Sequence, residues 1–120
     1  MKKIIMPQEL EVWYLLPAIR KEFAMEMVKE GLSQKVTAEK LGVTEAAVSQ
    51  YMKGKRGSDI EINRTIRKEI KKCVKKILNG ECVIKEIQYI CNQCKKKMIL
   101  CKIHKKYGRV SNGCKVCLEL

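Results

Sequence analysis

The chain has 120 residues, 46% of them hydrophobic, which suffices for one compact core with a small appended module but not for two full-sized domains. Lys and Arg number 26 against 13 Asp and Glu, so the formal net charge is +13 and a polyanionic partner is favoured. Its only His and its only Asp, Asp59, argue against Ser–His–Asp catalysis, and we expect no enzymatic activity.

The expected compartment is the cytoplasm. No run of 18 apolar residues occurs, and Pro7, Gln8, Glu9 and Glu11 interrupt the N-terminal apolar segment, so we expect neither a membrane span nor a signal peptide. Because cytosolic thiol pools keep disulfides reduced, the seven cysteines favour metal or redox chemistry.

Residues 10–30 carry apolar side chains at steps of three and four, which predicts a helix that Gly31 ends. Pro17 lies inside this pattern, so either a helix begins near it or a longer helix is kinked there. Trp13 and Tyr14 are expected to anchor a core or a dimer seam.

Residues 33–57 show a short helix, a turn and a second helix, followed by a basic segment. Ser33 and Thr44 stand where each helix should be capped, and Gly42 stands at the turn. This order predicts a DNA-binding helix-turn-helix motif.

The two faces of this motif can be assigned from its periodicity. Ala38 is small enough for a close helix crossing, and the expected inward side chains are Val36, Leu41, Val43 and Val48. The side chains expected to be free to enter a major groove are Glu45, Ala46, Ala47, Ser49 and Gln50. Lys53, Lys55 and Arg56 are expected near phosphates.

Parts of the sequence resemble a known family. The words LSQ at 32–34, LGVTEAAVSQY at 41–51 and GKRG at 54–57 resemble the lambda-repressor-like, xenobiotic-response-element class of helix-turn-helix regulators. With VWYLLPAIRKE at 12–22 and the Cys-rich tail, the wider chain looks like a group of archaeal predicted transcriptional regulators. The resemblance implies that Gln34 and the start of the second helix touch phosphate, and that residues 44–50 lie along base edges. Unlike many members, this chain lacks an acidic residue soon after LSQ.

A second long helix is predicted after Gly57. Ser58 and Glu61 form a capping box at its start, and Asn79 with Gly80 ends it. One stripe of this helix is apolar, comprising Ile62, Ile66, Ile70, Cys73, Val74 and Ile77. The rest is basic and is also expected near phosphates: Arg64, Arg67, Lys68, Lys71, Lys72, Lys75 and Lys76. Because the motif core is small, we expect the stripe to form a homodimer seam; the alternative is burial within its own chain.

Residues 82–90, CVIKEIQYI, are rich in β-branched residues and predict a short strand, with a helix as the alternative. The fold class expected is mainly α: a helix-turn-helix DNA-binding domain at 1–57, a long linker or dimerisation helix at 58–80, and a Cys-rich metal-binding module at 81–120.

The tail contains three closely spaced pairs of metal-ligand residue types. Cys91 and Cys94 form a C-x2-C pair, Cys101 and His104 a C-x2-H pair, and Cys114 and Cys117 a second C-x2-C pair. Two intervening residues let a tight turn direct both side chains at one ion. Cys73 is expected to be a buried apolar residue, and the role of Cys82 is left open.

The bound metal is expected to be an iron–sulfur cluster, with zinc as the alternative. The two C-x2-C pairs resemble a zinc ribbon, but that assignment leaves Cys101 and His104 without a task. A cluster surrounded by lysines would let a regulator sense iron, sulfur or redox state. The expected function is therefore a homodimeric transcription regulator that binds a near-palindromic operator in double-stranded DNA. The alternative is a DNA-binding protein with a structural zinc module used for dimerisation or a protein partner.

Overall fold

The computed structural model describes residues 4–97, and within that range the chain is helical without strands. The elements in chain order are α1 (Pro7–Leu10), a π-helical turn (Glu11–Leu15), α2 (Leu16–Lys29), α3 (Gln34–Leu41), α4 (Glu45–Met52), α5 (Arg64–Leu78) and α6 (Val83–Lys96). The predicted mainly helical class is thus confirmed for the described residues. No helix among them is long and apolar enough to cross a membrane.

The N-terminal helix runs through Pro17 instead of starting there. Pro17 has no N–H to donate, and its ring would collide with the carbonyl one turn back. The preceding turn widens to accommodate it, and the Leu16 N–H donates to the Glu11 carbonyl five residues earlier. Gly31, at φ 100°, ends the helix as predicted.

The expected anchoring role of Trp13 in a core is wrong for this chain. The Trp13 side chain is 52% exposed and the neighbouring Val12 is 60% exposed, whereas Tyr14 is half-buried against the core. The core positions of this segment are instead Leu10 and Leu15, both fully buried. The π-helical turn contributes to this shift, because it rotates the residues before Pro17 relative to a regular helical repeat.

Helix α2 lies at the centre of the fold and contacts α3, α4, α5 and α6. Ile19, Phe23 and Met27 line it at four-residue intervals and are completely buried. The same core includes Val48 from α4, Ile70 from α5 and Ile90 from α6. One hydrophobic core therefore unites all the major helices of the described chain.

Helix α5 begins five residues later than the Ser58 capping box predicted. Asn63 is its cap: the Asn63 Oδ1 accepts the Ile66 N–H at 2.9 Å. The Ser58 hydroxyl instead donates to the Gly54 carbonyl at 3.0 Å and accepts from Lys21 Nζ at 2.8 Å. Ser58 thus stabilises the preceding loop, and the helix ends at Asn79 and Gly80 as predicted.

The isoleucine stripe is buried within its own chain, which was the alternative to a dimer seam. All six side chains from Ile62 to Ile77 are at most 5% exposed. Helix α5 packs against α2 and α6, and these two helices cover the stripe. The expectation that the stripe needs a second copy of the chain is therefore wrong.

The predicted strand at 82–90 is also wrong, because these residues belong to α6. Val83, Ile87, Ile90 and Cys94 recur at four- and three-residue steps and share one face of that helix, while Ile84 is 74% exposed. Burial of this face against α5 and α2 outweighs the β propensity of the individual residues.

Candidate nucleic-acid interface

Helices α3 and α4 both begin with the caps that the sequence predicted. The Ser33 Oγ accepts the Val36 N–H at 3.1 Å, and the Thr44 Oγ1 accepts the Ala47 N–H at 3.0 Å. Each hydroxyl satisfies one of the unpaired N–H groups of a first turn. The remaining N–H groups and the helix dipole make such helix starts suitable for phosphate contacts.

The turn between the two helices depends on Gly42, as predicted. Its φ of 68° lies in the left-handed region, where a Cβ would add strain. The Gly42 N–H donates to the Glu39 carbonyl at 3.3 Å, and the Val43 N–H donates to the Ala38 carbonyl at 3.0 Å. These two bonds close the end of α3 and fix the direction in which α4 leaves.

The inward face of α3 agrees with the predicted one except at residues 36 and 37. Ala38 and Leu41 are buried as expected, but Val36 is 38% exposed and Thr37 is fully buried. The periodicity missed Thr37 because its side chain is polar. Its buried hydroxyl has no hydrogen-bond partner within residues 4–97.

The outward face of α4 contains all but one of the predicted groove residues. Glu45 and Ala46 are exposed, and Ser49 and Gln50 are partly exposed. Ala47 is only 4% exposed, so its predicted place in the groove is wrong. It is buried like Val48 and Tyr51, and Tyr51, four residues on, lies on the same helix face as Ala47.

The predicted phosphate-contacting residues are at the surface. Gln34 is exposed at the first position of α3, and Thr44 is exposed at the cap of α4. Lys53, Lys55 and Arg56 are exposed directly after α4 and form no ion pair within residues 4–97. Their charges are therefore available to an external anion.

A contact that the sequence did not predict holds the loop after α4. Gly57 is buried at φ 73°, and a Cβ there would lie 2.5 Å from the Pro17 carbonyl oxygen. Beside it, Lys21 of α2 donates to the Ser58 hydroxyl. In the sequence, the second glycine of GKRG was the one residue that could have indicated this contact. The close approach of Gly57 to α2 holds the basic segment against the core.

The cysteine pair that the structure describes is helical. Cys91 and Cys94 lie one turn apart in α6, 3% and 0% exposed, so the expected tight turn between them is wrong. Burial and then the Glu11 carboxylate raise the pKa of Cys91 to about 11, against the opposing effect of Lys95 and Arg20. Burial, then Cys91, raises the pKa of Cys94 to about 12. In the absence of a bound ion, both thiols are therefore protonated at neutral pH.

The other predicted metal ligands lie outside the described residues: Cys101, His104, Cys114 and Cys117. Within residues 4–97, no group of three or more His, Cys, Asp or Glu side chains could hold a metal ion. Cys73 is buried as predicted, and burial followed by the Glu86 carboxylate raises its pKa to about 11. Cys82 is exposed at the cap of α6.

Comparison with known proteins identifies the central part of the chain. Residues 24–62 match the family model described as helix-turn-helix, which is of the lambda-repressor-like kind. The matched segment extends from the second half of α2 through α4 to Ile62, just before α5. No curated protein and no solved structure matches the chain. The matched residues are thus a helix-turn-helix unit, which is typical of DNA-binding transcription regulators.

Proposed function

We propose that this chain is a sequence-specific, DNA-binding transcription regulator that acts in the cytoplasm and catalyses no reaction. The observation that carries the proposal is the capped pair α3–α4, inside the family match, with Glu45, Ala46, Ser49 and Gln50 directed outward. In such motifs the second helix enters the major groove and its outward side chains meet base edges. Helix α4 is therefore the recognition helix.

The outward residues divide into two roles by their chemistry. The Gln50 amide has a donor and an acceptor, and a glutamine amide can bond an adenine edge at two points. Lys53, Lys55 and Arg56 have only donors and positive charge, which suits phosphates of any sequence. Helix α4 thus contacts the bases, and the loop after it contacts phosphates and orients the protein on the duplex.

Two alanine substitutions separate these roles. Gln50→Ala is expected to relax base preference and to cost about 1–3 kcal/mol of specific binding, because a base contact is lost. Lys55→Ala is expected to weaken binding to all duplexes and to lower the slope of log affinity against log salt by roughly one unit. Binding titrations on duplexes selected from a random pool measure both effects.

Lys85→Ala serves as the matched control, because Lys85 is an exposed lysine of α6 that pairs with Glu81 at 3.8 Å. It should leave affinity, preference and salt slope unchanged. Failure to enrich any duplex from the pool would contradict sequence-specific binding. Unchanged base preference in Gln50→Ala would instead contradict the assigned orientation of α4.

We propose that the regulator is a homodimer whose seam includes Val12 and Trp13. These adjacent side chains are 60% and 52% exposed, and aromatic residues are enriched in protein interfaces. Two copies of α4 would read a near-palindromic operator with half-sites about 34 Å apart or a multiple of that distance. A monomeric sedimentation profile, together with selected sites that lack two-fold symmetry, would contradict this assembly.

We further propose that the Cys-rich region binds an iron–sulfur cluster and that the regulator senses iron, sulfur or redox state through it. The candidate ligands are Cys91, Cys94, Cys101, His104, Cys114 and Cys117. Cys91 and Cys94 support this role because two thiols on one helix face can serve a single metal centre. Their raised pKa values mean that binding must release their protons. When bound, a cluster would supply a redox-responsive group.

A structural zinc ion is the second candidate, and the burial of Cys91 and Cys94 in the hydrophobic core favours it. Structural zinc sites are closed, use thiolate ligands and stabilise the fold. In that case the tail would support dimerisation or a protein partner without sensing.

Metal analysis of protein purified without oxygen distinguishes the candidates. We expect a brown protein that contains iron and sulfide, whereas a colourless protein containing zinc would favour the structural site. Cys91→Ser should lower the metal content, and Cys82→Ser, at an exposed cysteine, should retain it. Equal operator affinity of the loaded and stripped protein would remove the sensing role, and metal-free protein would contradict both sites.

A further inference from the structure

Helix α5 carries seven basic residues and one glutamate over residues 64–78. Three of the basic side chains form ion pairs: Arg67 with Glu22 at 3.3 Å, Lys72 with Glu69 at 3.9 Å, and Lys76 with Glu86 at 3.9 Å. The other four are exposed and form no ion pair within residues 4–97: Arg64, Lys68, Lys71 and Lys75. We call these four basic residues the α5 stripe, in distinction from the buried isoleucine stripe of the same helix.

The α5 stripe is a single continuous row. Its members are separated by four, three and four residues, which places them on one face of the helix. By helical geometry this face is opposite the one that carries the buried residues Ile66, Ile70 and Ile77. At a rise of 1.5 Å per residue, the row is about 16 Å long.

Such a row is not explained by the stability of the fold. Like charges at three- and four-residue spacing on a helix repel each other and destabilise it. The three carboxylates that form ion pairs with α5 within residues 4–97, Glu22, Glu69 and Glu86, pair with other residues of this helix. An external polyanion would remove the repulsion and release its own counterions.

The α5 stripe is distinct from the basic segment of the helix-turn-helix unit. Lys53, Lys55 and Arg56 precede it in the chain, and the exposed carboxylates of Asp59 and Glu61 lie between the two sets. The chain therefore carries two sets of exposed basic residues, one after α4 and one along α5.

We propose that the α5 stripe is a second binding surface for the phosphate backbone of duplex DNA, separate from the base-reading contact of α4. This inference rests on the proposed function, since the helix-turn-helix unit makes duplex DNA the polyanion at hand. Regularly spaced cations along a straight helix suit the regular repeat of phosphates and need no particular base sequence. The phosphates could belong to the flank of the bound operator or to a second duplex.

A matched pair of double variants tests the surface. Lys68→Gln with Lys71→Gln removes two charges from the α5 stripe, and Lys29→Gln with Lys85→Gln removes two charges from lysines outside α5 that pair with Glu26 and Glu81. Glutamine keeps a high helix propensity, so circular dichroism should show both variants folded. The probes are mixed-sequence duplexes of about 16 and about 40 base pairs, since phosphate contacts are independent of sequence.

The stripe variant is expected to lower the slope of log affinity against log salt by roughly two units, while the control variant keeps the wild-type slope. A loss seen only on the longer duplex, in complexes with one duplex, assigns the phosphates to the operator flank. A loss on the short duplex, with wild-type protein joining two differently labelled duplexes, assigns them to a second molecule.

Equal slopes for the stripe and control variants would overturn this inference and leave the proposed function intact. Wild-type protein that binds neither duplex would overturn both.

Discussion

Ala46→Glu is expected to abolish DNA binding while leaving the fold unchanged, whereas Ala47→Glu is expected to unfold the protein. Ala46 is exposed on α4, so a carboxylate there would face the phosphates and base edges of the groove. Like-charge contacts across an interface cost several kcal/mol, which corresponds to a loss of affinity of about 100-fold or more. The altered helix should remain stable, since Glu is a good helix former.

The neighbouring position has the opposite environment. Ala47 is 4% exposed and packs with the core, so a glutamate there must be buried without a partner or must displace α4. We expect a loss of unfolding free energy of more than about 3 kcal/mol from burying such a group. Urea unfolding and duplex titration, applied to both variants, measure the two losses separately.

Ala46→Gln is the control for side-chain size, because it has no charge and should bind far better than Ala46→Glu. If Ala46→Glu bound duplex as tightly as the wild type, α4 would not face DNA. If Ala47→Glu unfolded at the wild-type urea concentration, the inward position of Ala47 would be wrong.

Gly57→Ala is expected to lower the free energy of unfolding by about 3 kcal/mol or more. The left-handed backbone at φ 73° costs an alanine roughly 1–2 kcal/mol. In addition, the new Cβ would lie 2.5 Å from the Pro17 carbonyl oxygen and 3.0 Å from Lys21 Cβ, so the loop must move away from α2. The neighbouring Arg56 would lose its position, and we expect weaker duplex binding as well.

Gly54→Ala isolates the steric part of this effect. Gly54 has the same φ of 73°, but a Cβ there would meet only the Ser58 Oγ at 3.9 Å. It should therefore incur the backbone cost alone, about 1–2 kcal/mol. Equal losses for the two alanine variants in urea unfolding would show that the 57 position can relax without cost.

Local chemistry sufficed to predict the helix-turn-helix unit. The caps at Ser33 and Thr44 and the left-handed turn at Gly42 depend on groups within a few residues of each other, and all three occur where predicted. The cap of α5 could not be chosen in the same way. Both Ser58 and Asn63 are suitable residues, and the distant Lys21 draws the Ser58 hydroxyl into the loop.

Faces and partners were harder to predict than element types. Thr37 and Ala47 are inward where a purely apolar pattern places Val36 inward and Ala47 outward, because small and polar side chains carry little periodic signal. Which elements bury the isoleucine stripe could not be predicted from the sequence of α5 itself. It depends on α6, whose helical face was hidden by β-branched residues that favour a strand.

The central position of α2 links regions that are far apart in sequence. Because α4 and α6 both pack against this one helix, the helix-turn-helix unit and the Cys91–Cys94 pair belong to a single hydrophobic core. We expect them to unfold together. Any ion or partner that α6 binds only in the folded state would, by mass action, raise the free energy of unfolding of the helix-turn-helix unit. Loss of that ligand would weaken DNA binding by increasing the unfolded fraction of the protein. No hinge motion and no rearrangement of side chains between the two sites would be needed.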